Sequence, residues 1–140
     1  MKKLLYMLDT NMVSFLIKGE HIVIKDYLRN VAMSAVCISV ITEAELLRGL
    51  AKKPSAKNLQ TAVKEFLIRV EILPWDSGAA QAYADLRTIC EKEGKSLGAM
   101  DMLIAAHSVA VDAILITNDQ AFYKLKNHLT LQDWTKSKII

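Results

Sequence analysis

The chain has few of the residues that mark disulfide-rich, metal-finger or membrane-spanning proteins. Its 140 residues include two cysteines, two prolines and five glycines. Cys37 and Cys90 lie far apart in apolar segments, so they fit no metal-ligand spacing and provide no disulfide framework. No apolar run reaches the roughly 18 residues of a membrane-spanning helix, and no small-residue cleavage site follows the N-terminal apolar segment. We therefore expect a cytoplasmic protein that binds no membrane.

Charge and composition are equally moderate. The net charge is +3 and the hydrophobic fraction is 52%, which excludes a disordered chain. The length is close to the commonest size of one domain, and no linker, repeat or low-complexity stretch divides the chain. The mild positive charge permits nucleic-acid binding without demonstrating it. We predict one domain over residues 1–140.

Short apolar segments alternate with helical ones. The predicted strands cover residues 4–8, 36–39, 72–73, 114–117 and 129–132. The predicted helices cover residues 11–18, 21–29, 40–52, 55–70, 76–93, 97–109 and 120–126. Strands separated by helices form parallel sheets with helices on both faces. The pattern predicts an α/β domain with a twisted parallel sheet of about five short strands, a fold that binds ligands at the carboxyl ends of its strands.

Four carboxylates interrupt these segments near that edge of the sheet. Asp9 directly follows a predicted strand, and Asp119 lies two residues after the end of another. Glu45 lies in the second turn of the helix that Ser39 caps, and Asp101 lies in the first turn of a largely apolar helix. The carboxyl ends of parallel strands share one edge, and helix N-termini attract anions. All four side chains are therefore predicted to reach one pocket.

Each carboxylate alone also has an ordinary structural explanation. Asp9 and Asp119 are both placed to cap the helix that follows them. Glu45 is compatible with a solvated helix face. Asp101 is the hardest to explain in this way, because a charge inside a ten-residue apolar stretch needs a partner. If all four carboxylates had purely structural roles, their placement near one edge of the sheet would have to be a coincidence in each of the four cases.

A shared acidic pocket has a specific chemical consequence. Carboxylates without a nearby cation repel one another, and their pKa values rise. Mg²⁺ or Mn²⁺ relieves this repulsion, because hard cations bind oxygen ligands. One or two such ions suit hydrolysis of a phosphodiester bond, since they assist the attacking water and the leaving oxygen. The residues thus predict a metal site that acts on nucleic acid.

Glu43 competes with Glu45 for the second position. The two side chains are two residues apart on one helix and point about 200° away from each other, so only one faces the pocket. Glu45 shares a face with Ile41 and Arg48, whereas Glu43 shares one with leucines. Helical periodicity leaves the choice open.

The segments around the four acids resemble the motifs of PIN-domain ribonucleases and, more narrowly, of VapC toxins from bacterial type II toxin–antitoxin modules. In order, they read Tyr-Met-Leu-Asp-Thr-Asn at 6–11, Ser-Val-Ile-Thr-Glu-Ala-Glu-Leu at 39–46, Gly-Ala-Met-Asp-Met-Leu-Ile-Ala-Ala-His at 98–107, and Ile-Thr-Asn-Asp at 116–119. The resemblance spans nearly the whole chain, including a late Asp-Trp-Thr at 133–135.

This resemblance implies a PIN-like fold and an Mg²⁺- or Mn²⁺-dependent endoribonuclease. It implies that the catalytic, metal-binding acids are Asp9, Glu45, Asp101 and Asp119. It favours Glu45 over Glu43, because the family motif places the acid in Ala-Glu-Leu. The fourth position often holds Asn in VapC relatives, where this chain has Asp119.

The resemblance also implies surrounding groups and partners. The polar residues expected to orient a ligand carboxylate or a bound water are Thr10, Asn11, Thr117 and Asn118. Modest candidates for phosphate contacts are Lys18, Arg48 and Lys95. The implied partners are RNA, with transfer RNA and its anticodon loop as the expected target, and a neutralising VapB-type antitoxin. A homodimer, or a larger toxin–antitoxin assembly, is expected.

Other interpretations of the sequence fit less well. A non-catalytic PIN-like module that binds metal or RNA is the main alternative. A phosphate-accepting receiver or an Asp-x-Asp phosphatase requires a second acid that Asp9-Thr10-Asn11 does not supply. His107 follows Asp101 by six residues, away from its face of the helix, and is expected to be structural rather than a general base.

Overall fold

The fold is arranged around a parallel sheet, as the computed structural model shows for residues 3–137. The strands are β1 (Tyr6–Leu8), β2 (Val36–Ser39), β3 (Glu71–Leu73), β4 (Ile114–Ile116) and β5 (Leu131–Gln132). All neighbouring strands pair in parallel, in the order β3-β2-β1-β4-β5. The predicted five-stranded parallel sheet is confirmed. The ends of the predicted domain, residues 1–2 and 138–140, lie outside the described residues.

Seven α-helices connect these strands within residues 3–137. They are α1 (Thr10–Lys18), α2 (Ile22–Arg29), α3 (Val40–Ala51), α4 (Lys57–Arg69), α5 (Ser77–Glu93), α6 (Ala99–Ala110) and α7 (Gln120–Tyr123). The last helix is shorter than its predicted range, which reached Lys126. The amides of Leu125 and Lys126 bond to carbonyls three residues back, so the chain continues from α7 as tight turns.

Successive strand residues point to opposite faces of the sheet, and helices cover both faces. Met7 and Leu115 pack in one cluster with the apolar sides of α5 and α6. Leu8 and Ile116 pack in a second cluster with α1, α2 and α4. The inner strands β1, β2 and β4 are buried on both sides, which explains why their sequences are largely apolar rather than alternating. None of the helices within residues 3–137 is long and apolar enough to cross a membrane.

Local signals define several helix ends. Gly19 and Gly94 end α1 and α5 in the left-handed region, with φ of 68° and 66°, where a residue without Cβ is favoured. Trp134 is 1% exposed and stacks on Tyr27 with ring centroids 5.3 Å apart. This contact fixes the segment after β5 against the face that α2 covers, so Trp134 is a packing residue.

The strand order creates a crevice between β1 and β4. From β1 the chain adds β2 and then β3 on one side, whereas β4 and β5 lie on the other side. The connections therefore leave β1 and β4 in opposite directions, and the carboxyl ends of these two strands border an open crevice. Asp9 and Thr117 are the residues that directly follow β1 and β4.

Candidate active site

Asp9 lies at the base of this crevice and is only 3% exposed. Its amide bonds to the Ile116 carbonyl of β4 at 3.1 Å, which extends the pairing of the two central strands by one residue. Its Oδ1 accepts a hydrogen bond from the Met12 amide at 2.8 Å and caps α1. The helix-cap interpretation of Asp9 is therefore correct, and the same carboxylate lies among the other acids.

Asp119 occupies the equivalent position after β4. Its Oδ1 accepts from the Ala121 amide at 3.0 Å and caps α7. Its own amide donates to the Thr117 hydroxyl at 3.0 Å, which fixes the turn between strand and helix. Each of the two caps engages one carboxylate oxygen, so the caps fix the orientation of both acids.

Glu45, rather than Glu43, is directed toward α1. The Thr10 hydroxyl donates to Glu45 Oε1 at 2.5 Å and also lies 3.3 Å from the hydroxyl of buried Thr42. Within residues 3–137, Glu43 makes no side-chain hydrogen bond, although it lies in the first turn of the same helix. The packing of α3 against α1 thus favours Glu45, and its assignment as a site residue stays a prediction.

Asp101 completes the group from the first turn of α6. Burial raises its pKa most, and the negative charges of Asp119 and Glu45 raise it further. These electrostatic effects require the three carboxylates to lie near one another. Acids from three different elements therefore lie within electrostatic reach of one another, and the shared metal pocket stays a prediction.

Asp9 has the most strongly shifted titration of the group. Burial raises its pKa from 3.8 to about 6, and the charges of Asp101 and Asp119 add to the increase. Hydrogen bonding with the Thr117 side chain and the Met12 amide opposes the shift. Desolvation and like charges together outweigh the hydrogen bonds. The anionic form of Asp9 is thus under electrostatic strain at neutral pH.

Within residues 3–137, no ion pair neutralises the acids. Among the ion pairs within residues 3–137, none involves Asp9, Glu45, Asp101 or Asp119. Across the same residues, no three His, Cys, Asp or Glu side chains already stand close enough together to hold a metal ion. Mutual repulsion opposes such close approach when no cation lies between the carboxylates. The donor set, carboxylate and hydroxyl oxygens only, nevertheless suits a hard divalent ion that would draw the acids inward.

The predicted polar neighbours divide into two pairs. Thr10 and Thr117 both contact acids of the group, through Glu45 and Asp119. Asn11 is exposed and makes no side-chain hydrogen bond within residues 3–137, and Asn118 contributes only its backbone carbonyl, to Gln120 at 3.5 Å. The roles predicted for the two asparagines stay predictions.

Two further residues support the site, and the sequence analysis did not identify them. Tyr123 donates to the Thr117 carbonyl at 3.0 Å, and Thr42 lies buried beside the Thr10 hydroxyl. Thr42 had a detectable signal, since it precedes Glu45 by three residues and shares its side of the helix. Tyr123 had none, because its contact depends on how α7 folds back over β4.

The three predicted phosphate-binding residues lie in different surroundings. Lys18 borders a groove of about 210 Å³ between α1, α3 and α4, which begins at Thr10 and Glu45. Arg48 is exposed on α3. Lys95 forms an ion pair with Glu93 at 3.1 Å, so its charge is already partly compensated. Of these three residues, Lys18 is the one that lines the groove in which Glu45 lies.

We expect Asp9→Asn to stabilise the metal-free protein at neutral pH. The pKa of Asp9 rises on folding from 3.8 to about 6, so the folded state binds the proton more tightly and stability falls as pH rises through that window. Asparagine retains the capping oxygen and carries no charge. The variant should gain roughly 2–3 kcal/mol at pH 7.5, as measured by thermal or urea unfolding in EDTA.

The pH dependence of stability distinguishes this electrostatic effect of Asp9→Asn from a change in packing. Below about pH 4 both states of the wild type bind the proton, so the advantage of Asp9→Asn should disappear. Asp26→Asn, an exposed acid on α2, serves as the control and should leave stability unchanged at both pH values. An equal gain at pH 3.5 and pH 7.5 would contradict the electrostatic explanation.

Comparison with known proteins identifies the family to which these features belong. The PIN domain model matches residues 6–127. Ribonuclease VapC2 of Rickettsia felis is 34% identical over 137 residues, which cover 95% of this chain and 100% of the relative. The tRNA(fMet)-specific endonuclease VapC of Shigella flexneri is 28% identical, with 93% of this chain and 98% of the relative covered.

A solved structure gives the same result. The crystal structure of VapBC2 from Rickettsia felis, bound to a DNA fragment from its promoter, matches with a TM-score of 0.85 and 32% identity. The match covers 94% of this chain and 99% of that chain. Sequence and fold therefore agree over almost the entire length: this chain belongs to the VapC family of PIN-domain ribonucleases.

Proposed function

We propose that this protein is an endoribonuclease toxin that uses Mg²⁺ or Mn²⁺ to hydrolyse RNA phosphodiester bonds and thereby inhibits translation and growth. One observation carries the metal dependence. Asp101 lies within electrostatic reach of both Asp119 and Glu45, and no ion pair within residues 3–137 compensates any of the acids. An anionic RNA backbone would be repelled from such a site unless divalent cations were bound there.

The four acids would hold the metal, and their supports would set its position. Asp9 and Asp119 each keep one oxygen on a helix cap, which fixes the carboxylate plane. The Thr10 hydroxyl holds Glu45 toward the crevice. When bound, the metal supplies Lewis-acid stabilisation of charge on the phosphate and activates water. Asp9 closes the base of the site, whereas half-buried Asp101 and Asp119 border its open side, where a phosphodiester would enter.

We propose transfer RNA as the substrate, with the anticodon loop as the region that is cut. The support is the Shigella flexneri relative, which is named a tRNA(fMet)-specific endonuclease and covers nearly the whole chain. A net charge of +3 and the exposed Lys18 and Arg48 are compatible with binding to a phosphate backbone. Sequencing of RNA 5′ ends after brief induction would identify the target and the cleavage position.

The neighbouring glutamates provide a matched test of the site. Glu45→Gln should lower RNA cleavage by purified protein about 100-fold, because it removes one anionic ligand and leaves shape and hydrogen bonding similar. Glu43→Gln, two residues away on the same helix, should stay within about twofold of the wild type. Equal losses in both variants would contradict the assignment of Glu45. A wild type that binds RNA and never cuts it would instead support a non-catalytic PIN-like module.

We also propose that the groove between α1, α3 and α4 binds a VapB-type antitoxin. The Rickettsia felis structure is named a VapBC complex. The groove is apolar along Leu46, Leu50 and Val63, and it opens at Glu45, next to the acids. These features suit an amphipathic antitoxin helix whose tail inserts a basic side chain toward the acidic crevice. Lysines at the groove border would pair with acidic groups of the same segment.

Charge reversal at the groove tests the antitoxin proposal. Lys52 and Lys53 line the groove, so Lys52→Glu combined with Lys53→Glu should weaken binding of the product of the neighbouring gene at least about tenfold. The same reversal at Lys57 and Lys64, exposed residues of α4 that do not line it, should leave the affinity unchanged. Titration calorimetry measures both. Equal weakening by the two double variants would place the antitoxin elsewhere.

The remaining proposals concern assembly and location. We propose that the toxin is a homodimer in the cytoplasm and joins a larger assembly with its antitoxin. The support is the resemblance to VapC proteins together with the VapBC complexes among the solved structures. Light scattering of the free toxin tests the dimer.

A further inference from the structure

A buried hydrogen bond joins the two helices that carry Glu45 and Asp101. His107 Nδ1 lies 2.7 Å from Ser39 Oγ, and both residues are at most 1% exposed. Ser39 is the N-cap of α3, six residues before Glu45, and His107 is on α6, six residues after Asp101. The contact therefore connects the start of one acid-bearing helix to the interior of the other.

The neighbouring hydrogen bonds favour Ser39 as the donor. Ser39 Oγ already accepts from the Ile41 amide at 3.0 Å, so its hydroxyl proton is available to His107 Nδ1. Burial lowers the pKa of the His107 ring, against the opposing effects of the Asp76 charge and of hydrogen bonding with the Pro74 backbone, so burial favours the neutral ring. A neutral ring that accepts at Nδ1 carries its proton on Nε2. Nε2 makes no well-aligned hydrogen bond among the described residues, and the Pro74 backbone, which can only accept, interacts with the ring.

The hydrogen bond to Ser39 distinguishes His107 from a residue that only fills space. Burial of a histidine whose Nε2 makes no well-aligned hydrogen bond destabilises a fold, and an apolar side chain of similar size would avoid that cost. The hydrogen bond through Nδ1 is the feature that an apolar residue could not replace. It also spans 68 residues of sequence, so it determines tertiary geometry rather than local structure.

The position of α6 governs where Asp101 lies. Asp101 and His107 are six residues apart, a distance of about 9 Å along a helix axis. A rotation of α6 by roughly 20° would move a side-chain tip about 2 Å, given the radius of a helix with its side chains. Misplacement by about 1 Å near a reaction centre can reduce rates about 100-fold. Trp75 provides another anchor, since its Nε1 donates to the Leu103 carbonyl at 3.0 Å.

We infer that His107 is a positioning residue, which accepts a hydrogen bond from Ser39 and thereby fixes the separation of Asp101 and Glu45 across the metal site. The inference rests on the proposed function, because the separation matters only if these acids act together. His107 touches neither substrate nor metal in this arrangement and is not a catalytic residue.

The experiment compares His107→Leu, Ser39→Ala and their double variant with the wild type. Each single variant should weaken Mn²⁺ binding about tenfold and lower kcat about 10- to 100-fold, with KM for RNA changed less than threefold. The double variant should be no worse than the more severe single variant, since both single variants remove the bond between Ser39 and His107. Ser39→Ala also removes the cap to the Ile41 amide, so it should be the more severe of the two. His107→Asn, which retains an acceptor near the Nδ1 position, should recover kcat to within about threefold.

Ser108→Ala is the matched control. Ser108 is a buried polar residue next to His107, but it donates only to the Ala105 carbonyl of its own helix. Its variant should match the wild type in Mn²⁺ affinity and kcat. Comparable losses in Ser108→Ala, or wild-type kcat and Mn²⁺ affinity in folded His107→Leu, would overturn the inference.

A metal-free measurement separates this inference from the proposed function. In ¹⁵N spectra of the histidine ring, His107 should show a protonated Nε2 and a hydrogen-bonded, unprotonated Nδ1, and Ser39→Ala should shift the Nδ1 signal. An unshifted signal overturns the hydrogen bond itself. A wild type that shows the bond but neither binds Mn²⁺ nor cuts RNA overturns the proposed function, and the positioning role with it.

Discussion

Asp101→Asn should lower RNA cleavage about 1,000-fold while the protein remains folded. Asp101 is the acid whose pKa both Asp119 and Glu45 raise, which places it between the two sides of the crevice. Asparagine has the same shape but no charge, so a bound divalent ion loses a major part of its stabilisation. A loss of about 4 kcal/mol in transition-state stabilisation corresponds to this factor. Cleavage of labelled transfer RNA under single-turnover conditions measures it.

The control for Asp101→Asn is an acid of the same type outside the crevice. Asp85 is exposed on α5 and bonds only to Gln81, so Asp85→Asn should cleave at the wild-type rate. Both variants should retain the circular dichroism spectrum of the wild type. If Asp101→Asn cleaves within fivefold of the wild type, Asp101 is not a ligand of a catalytic metal.

Removal of divalent cations should stop cleavage by the wild type. Without a cation, Asp9 stays under electrostatic strain and the crevice repels the phosphate backbone. We expect at least a 1,000-fold loss in excess EDTA and full recovery on addition of Mg²⁺ or Mn²⁺. The same ions should raise the Tm of the wild type, because they bind only the folded state, and should leave the Tm of an Asp9→Asn/Asp101→Asn variant nearly unchanged.

The chelation experiment also tests the reaction class. If cleavage recovers when either ion is added after dialysis, then EDTA has not damaged the protein irreversibly. Cleavage of structured RNA at an equal rate in excess chelator would show that the acids act without metal, and the proposed mechanism would then be wrong.

Local signals predicted most of the fold. The apolar runs that became β1, β2 and β4 are buried on both faces, so their composition alone identified them. Gly19 and Gly94 marked helix ends because each occupies a left-handed conformation. The order of the strands in the sheet was not predicted, because it depends on the side of β1 to which each helical connection returns the chain.

The candidate site was predicted in part, and the limits have physical causes. The group of four acids followed from charges placed at strand ends and helix starts. Helical periodicity could not separate Glu43 from Glu45, because the Thr10 hydrogen bond that distinguishes them comes from another helix. The contact between His107 and Ser39 likewise joins distant segments. Such contacts depend on tertiary packing and leave no pattern in the local sequence.

The most direct test of the central claim is the position of Mn²⁺ in crystals of the protein grown or soaked with that ion. We expect an anomalous scattering peak in contact with carboxylate oxygens of Asp9 and Asp101, with Glu45 or Asp119 completing the ligands. The peak should vanish in Asp101→Asn. A protein that cuts RNA with Mn²⁺ while its crystals hold the ion elsewhere, or hold none, would contradict the assignment of this crevice as the metal site.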